Sequence, residues 1–216
     1  MTKDSEPYEQ NVREQYERLG RFVDSFEAMV AGVRNNCIRF FDDGKGKARL
    51  AQIVFHHQTM TAKPLFDIFR AIIVQTITDA TFAKEHNVLP ADIEAFRGIL
   101  SVASKEYSSL TNLRNSLLHG TWFVGYVGED PTSPDFDVFK YTINKEGIAR
   151  VELPRTASEL AHLSLRCEEC DDLISLISEC VPPTSPHYRI TDHFHQVDGT
   201  WKRAWTWRSP RGSLAE

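Results

Sequence analysis

Arg114-Asn115-Ser116-Leu117-Leu118-His119-Gly120 brings a permanent cation, an amide and an imidazole into about two helical turns. An imidazole that gains and loses a proton near neutrality, beside a guanidinium and an amide, can do phosphodiester chemistry without a metal. On a helix Asn115 and His119 are four residues apart and share a face. Arg114 and His119 are separated by about 140 degrees at 3.6 residues per turn, so they occupy neighbouring flanks. They converge only if the helix end is splayed or duplicated by a second copy. Gly120 is a natural helix stop, and the carbonyls of the last turn favour a protonated His119.

Other residues with chemical potential are weaker candidates. Cys167-Glu168-Glu169-Cys170 has the spacing of a zinc or redox pair, but without a second pair it supplies at most half a metal site. Both cysteines lie on an apolar stripe, where core packing explains them, and no metal or other cofactor is assigned. His56 and His57 are adjacent in a helical stretch and diverge by about 100 degrees, which sends one toward the core and the other toward solvent. His193 and His195, at alternate positions beside Asp192, would point the same way on a strand, although a solvated tail accounts for them more simply. Trp201-Lys202-Arg203-Ala204-Trp205-Thr206-Trp207-Arg208 interleaves rings with cations, a composition that stacks on bases and neutralises phosphates. Packing of these tryptophans back onto the rest of the chain is the favoured alternative, because exposed tryptophans are costly.

The elements that must hold the Arg114–His119 segment follow from periodicity. Val12, Tyr16, Leu19, Val23, Phe26, Val30, Val33, Cys37 and Phe40 alternate spacings of four and three, which predicts a first helix from about Glu9 to Phe41. Asp42-Asp43-Gly44-Lys45-Gly46 ends it. Lys47 to Glu85 reads as helix interrupted at Pro64, by a kink or as two shorter helices. Pro90 opens the next helix, with Asp92 and Glu94 near the positive end of its dipole. Its stripe is Ile93, Phe96, Leu100, Ala103, Tyr107, Leu110, Arg114 and Leu117. Arg114 stands where a leucine belongs, so it must face a partner charge, a cleft or another subunit.

After Gly120 the pattern changes to short segments rich in aromatic and branched residues, Thr121 to Val127, Phe136 to Ile143 and Ile148 to Leu153, a three-stranded meander. Thr156-Ala157-Ser158-Glu159 is spaced as a capping box and opens the last helix, which Pro182 and Pro183 end. The expectation is a mainly α, up-and-down helical bundle over residues 1–181, with an antiparallel β meander inserted at about 121–153 before the last helix. Residues 182–216 form a C-terminal tail rich in tryptophan and basic residues.

The 216 residues suit one sizeable core with an appendage, and 41% hydrophobic with 25% charged residues is ordinary for a folding chain. No apolar run approaches the roughly 20 residues that span a bilayer, and Met1 to Glu9 lacks the apolar stretch of a signal peptide. A cytoplasmic protein with no membrane partner is expected. Four cysteines in a chain of this size fit free thiols in a reducing compartment. The net charge of −5 excludes an overall basic field, so any RNA contact has to come from local patches.

Arg114-Asn115-Ser116-Leu117-Leu118-His119 resembles the signature of the HEPN domain family, an arginine followed by a polar residue and, after a short gap, a histidine. The resemblance extends over the helical part of the chain, about Glu9 to Val181, but only the short motif is specific. It implies a HEPN-like bundle, and for many members a metal-independent endoribonuclease of toxin–antitoxin or defence systems, acting as a homodimer whose two motifs form one composite site. On this resemblance Arg114 would hold the scissile phosphate, His119 would be the general acid or base, and Asn115 would orient one of them. RNA is then the substrate, and an antitoxin or a nucleotidyltransferase-like protein a further partner. The family also contains non-catalytic members that serve as dimerisation or binding modules. In that alternative Arg114 pairs with a carboxylate from the first helix and His119 caps the last carbonyls.

Overall fold

Pro90 begins the helix that carries the motif, and the preceding residue fixes its start. The Leu89 amide donates to Asp92 Oδ2 at 3.1 Å, so a carboxylate three residues into the helix reaches back to an otherwise unpaired amide. The computed structural model describes residues 6–41, 47–57, 60–123, 137–144, 147–154, 156–181 and 189–203, and the architecture concerns these. In chain order the helices and strands are α1 (Glu6–Phe40), α2 (Lys47–Phe55), α3 (Ala62–Thr78), α4 (Ala80–Glu85), α5 (Pro90–Leu118), β1 (Thr121–Phe123), β2 (Asp137–Asn144), β3 (Gly147–Glu152), α6 (Ala157–Glu179), α7 (Ile190–His193), β4 (Phe194–Val197) and β5 (Thr200–Arg203). This is the mainly α helical bundle expected, with the antiparallel meander β1-β2-β3 inserted before α6.

The chain divides into two compact units. One comprises Met1–Met29 and Ser108–Glu169, the other Val30–Tyr107 and Cys170–Glu216. In the first unit Phe22, Phe26 and Met29 of α1, Leu110 and Leu117 of α5, and Leu160, Leu163 and Cys167 of α6 are buried. Arg166 Nη2 donates to Ser109 Oγ at 3.2 Å, joining α6 to α5. The start of α6 follows the capping-box expectation: the Thr156 amide donates to Glu159 Oε2 at 2.9 Å and the Glu159 amide to Thr156 Oγ1 at 3.1 Å. In the meander β2 pairs with β1 through Thr121↔Phe139 and with β3 through Asn144↔Gly147. Residues 124–136 of the expected strands lie outside the described residues.

The second unit buries Leu65, Phe66, Phe69, Ile73 and Ile77 of α3, and Phe96, Ile99, Leu100, Ala103 and Tyr107 of α5. Tyr107 stacks on Phe66 with ring centroids 4.6 Å apart, and its hydroxyl donates to the Ala62 carbonyl at 3.2 Å. Arg34 Nε donates to the Phe55 carbonyl at 3.0 Å, which satisfies one of the last carbonyls of α2. Ile174 and Ile177 of α6 are also buried here.

Several expectations need correction. The stretch 47–85 breaks upstream of Pro64, which sits in the first turn of α3, where a proline costs no hydrogen bond. It breaks again at Asp79, whose backbone is extended (φ −63, ψ 123) and whose Oδ1 accepts from the Phe82 amide at 2.8 Å, capping α4. Toward its start α1 buries Gln15 and Phe22 while Tyr16 is 52% exposed, so the buried face is rotated from the expected stripe there. His56 and His57 both follow the end of α2 and are both exposed. His193 closes α7 while His195 lies in β4, so the two do not share a strand.

The described part of the tail is folded. Asp198 and Gly199 adopt positive φ (51 and 73), the two-residue turn that joins β4 to β5 with Val197↔Thr200 as the closing pair. Ile190 and Phe194 are buried, and Thr191 Oγ1 donates to Asp92 Oδ1 at 3.2 Å. The Trp201 indole lies against Gly98 of α5, where any Cβ would collide with the ring. Trp201 therefore packs onto the second unit, the alternative favoured from sequence, while residues 204–208 of the aromatic and basic segment lie outside the described residues.

All four cysteines are free and buried. Burial pushes the Cys37 thiol up to about 12 from its ordinary 9.0. Burial, and then the charges of Glu179 and Asp192, push the Cys180 thiol to the same value. Below pH 9 the thiols are protonated in folded and unfolded chains alike, and stability is unaffected. Between about pH 9 and 12 only the unfolded chain ionises, so both groups withdraw stability as the pH rises. A maleimide at pH 8 should leave Cys37 and Cys180 of the native protein unlabelled and label both in urea. Equal labelling rates in the two states would contradict this burial.

Candidate functional site

The last turns of α5 carry Arg114 and Asn115, and His119 is the first residue beyond the helix. The stripe of α5 holds from Phe96 onward: Phe96, Leu100, Ala103, Tyr107, Leu110 and Leu117 are buried, Ile93 at its start is only partly buried, and Arg114 is the charged member among them. Its side chain is 28% exposed. The helical hydrogen bonding runs one residue past α5, since the His119 amide donates to the Asn115 carbonyl at 3.1 Å.

Within the first unit Arg114 meets three groups. Nη2 donates to Glu27 Oε1 at 2.8 Å, an ion pair with α1. Nη1 donates to Asn115 Oδ1 at 3.3 Å. The guanidinium carbon lies 5.7 Å from the centroid of the Phe26 ring, within reach of a cation–π attraction. Nε is buried and has no hydrogen-bond partner among the described residues.

The partner charge that Arg114 demanded is thus a carboxylate of the first helix. An ion pair whose Glu27 side is 53% exposed contributes about 0.2–1 kcal/mol. With the Phe26 contact the guanidinium returns about 1–2 kcal/mol, no more than a largely buried leucine would at the same place. Stability alone therefore gives little reason for an arginine here, and the unsatisfied Nε is a further cost.

Arg114 and Asn115 are brought together. His119 is exposed, and among the described residues no side-chain hydrogen bond joins it to either of them. Asn115 is exposed as well. Two contributors, Glu27 and Phe26, were not singled out from sequence. Phe26 is a member of the α1 stripe, and Glu27 is its neighbour on the solvent-facing flank, one of many acidic residues in that helix. Cys167 and Cys170 are buried in α6 as core residues, and among the described residues no group of three or more His, Cys, Asp or Glu side chains is placed to hold a metal. No helix among the described residues is long and apolar enough to cross a membrane.

No protein-family model, no curated protein and no solved structure matches the chain.

Proposed function

We propose that the chain is a metal-independent endoribonuclease of the HEPN type, with Arg114, Asn115 and His119 as its working residues. One observation supports this reading above others: a half-buried guanidinium replaces an apolar residue at the end of α5, with its Nε unsatisfied and an exposed histidine five residues on. The stability returned by the Glu27 pair does not account for it. A phosphate anion would, since it offers a guanidinium stronger, charge-assisted acceptors than an exposed carboxylate pair requires for stability.

In the reaction, the ribose 2′-oxygen bonds to the adjacent phosphorus and the bond to the 5′-oxygen breaks. Arg114 stabilises the charge that gathers on the phosphoryl oxygens. His119 accepts the 2′-proton or donates one to the departing 5′-oxygen, and Asn115 holds the guanidinium through its Oδ1. The angular separation of Arg114 and His119 makes a second copy of the chain part of the site, each supplying what the other lacks. Leu118, 41% exposed beside His119, gives that face an apolar contact for the second copy. A cytoplasmic toxin or defence role, with an antitoxin or nucleotidyltransferase-like partner, belongs to the same reading.

Mixed RNA incubated with the pure protein in excess chelator should yield fragments ending in 2′,3′-cyclic phosphate. Intact RNA after such incubation would sink the proposal. The Arg114–Glu27 pair favours a second reading, a non-catalytic HEPN-like dimerisation or binding module in which Arg114 ties α5 to α1. That reading expects loss of thermal stability, with no RNA cleavage to lose, when Arg114 is replaced.

A further inference from the structure

Glu27 occupies the one strong anion contact that Arg114 makes. Its carboxylate oxygen lies 2.8 Å from Nη2, where an incoming phosphate oxygen would have to bind. The carboxylate is itself 53% exposed and held by no other ion pair among the described residues, so it can leave without a large cost. Asn115 and Phe26 remain on the guanidinium when it does, through a 3.3 Å hydrogen bond and a ring contact, so Arg114 keeps its place after release.

We propose that Glu27 is a carboxylate latch: in the free protein it neutralises Arg114, and an RNA phosphate engages Arg114 only by displacing it. This inference rests on the reading of Arg114 as a phosphate-binding group, and it assigns to the same site a device that sets RNA affinity. A latch weakens binding without taking part in bond making. Glu27 is a positioning residue in this account, and its removal changes the concentration of RNA required more than the turnover at saturation.

The test uses the full chain and a short fluorescein-labelled RNA with every 2′-hydroxyl methylated, so that binding is read without cleavage. Glu27→Gln removes the charge and keeps an acceptor, Glu27→Ala removes both, and Glu17→Gln controls for the loss of one negative charge elsewhere on α1. Both Glu27 variants should bind the probe more tightly than wild type, by up to about fivefold, the equivalent of one exposed ion pair. The slope of log Kd against log salt should stay close to that of wild type, because Arg114 neutralises the same phosphate whether or not Glu27 had to be displaced first. In an Arg114→Ala background the gain should vanish, as a double-mutant cycle requires of a coupled pair. A gain matched by Glu17→Gln, a gain that survives Arg114→Ala, or no binding by any variant would each overturn the latch. Tighter, Arg114-dependent binding by a protein that leaves cleavable RNA intact would support the latch and defeat only the nuclease reading.

Discussion

His119→Ala should remove RNA cleavage by a factor of about 10²–10⁴, the usual contribution of a general acid or base, and leave the melting temperature of the protein where it was. The imidazole is exposed and takes part in no side-chain hydrogen bond with Arg114 or Asn115 among the described residues, so its loss withdraws nothing from the fold. Arg114→Ala should cost cleavage about 10²–10³-fold, as the loss of one charge-stabilising donor does. It carries a stability penalty that His119→Ala lacks, because it removes the Glu27 pair and the Phe26 contact, together about 1–2 kcal/mol. Cleavage assays and melting curves on both variants check the pair. A His119→Ala protein that melts early but cuts RNA as before would place the histidine in the structure and outside the chemistry.

The second large effect is structural. Tyr107 is 1% exposed, stacks on Phe66 and hydrogen-bonds the Ala62 carbonyl at the start of α3. Tyr107→Ala should therefore destabilise the chain by about 3–5 kcal/mol through the cavity left in its core. Tyr107→Phe keeps the ring and loses only the hydroxyl, and should cost about 0.5–1.5 kcal/mol. Urea titration of both variants separates packing from hydrogen bonding. A Tyr107→Ala cost no greater than that of Tyr107→Phe would mean the ring is not a core element.

The features readable from residue types are those whose partners lie close in sequence. The capping box needs only Thr156 and Glu159, the start of α5 only Pro90 and Asp92, and both are found where their spacing puts them. The stripe of α5 is equally local, and its one breach, Arg114, pointed to the candidate site without any tertiary information. Glu27 was beyond this kind of reading, because nothing in α1 distinguishes it from the other acids of that helix until α5 lies beside it. The break at Asp79 was hidden for a different reason: no proline or glycine marks it, and only the acceptor geometry of the carboxylate toward Phe82 does. The hairpin at Asp198-Gly199 carried a readable signal in its dipeptide, obscured by the short strands on either side.

The composite site is the centre of the account, and mixing two inactive variants tests it most directly. Arg114→Ala and His119→Ala proteins, each unable to cut RNA, are unfolded together, refolded and assayed in chelator. In a mixed dimer the composite site regains an intact arginine from one chain and an intact histidine from the other. Random pairing makes about half the dimers mixed, so up to about half of wild-type cleavage should return. A mixture as inactive as its two components, from a wild-type protein that cuts RNA, would contradict the shared site. Inactivity of the wild type itself would contradict the assignment of Arg114 and His119 to catalysis.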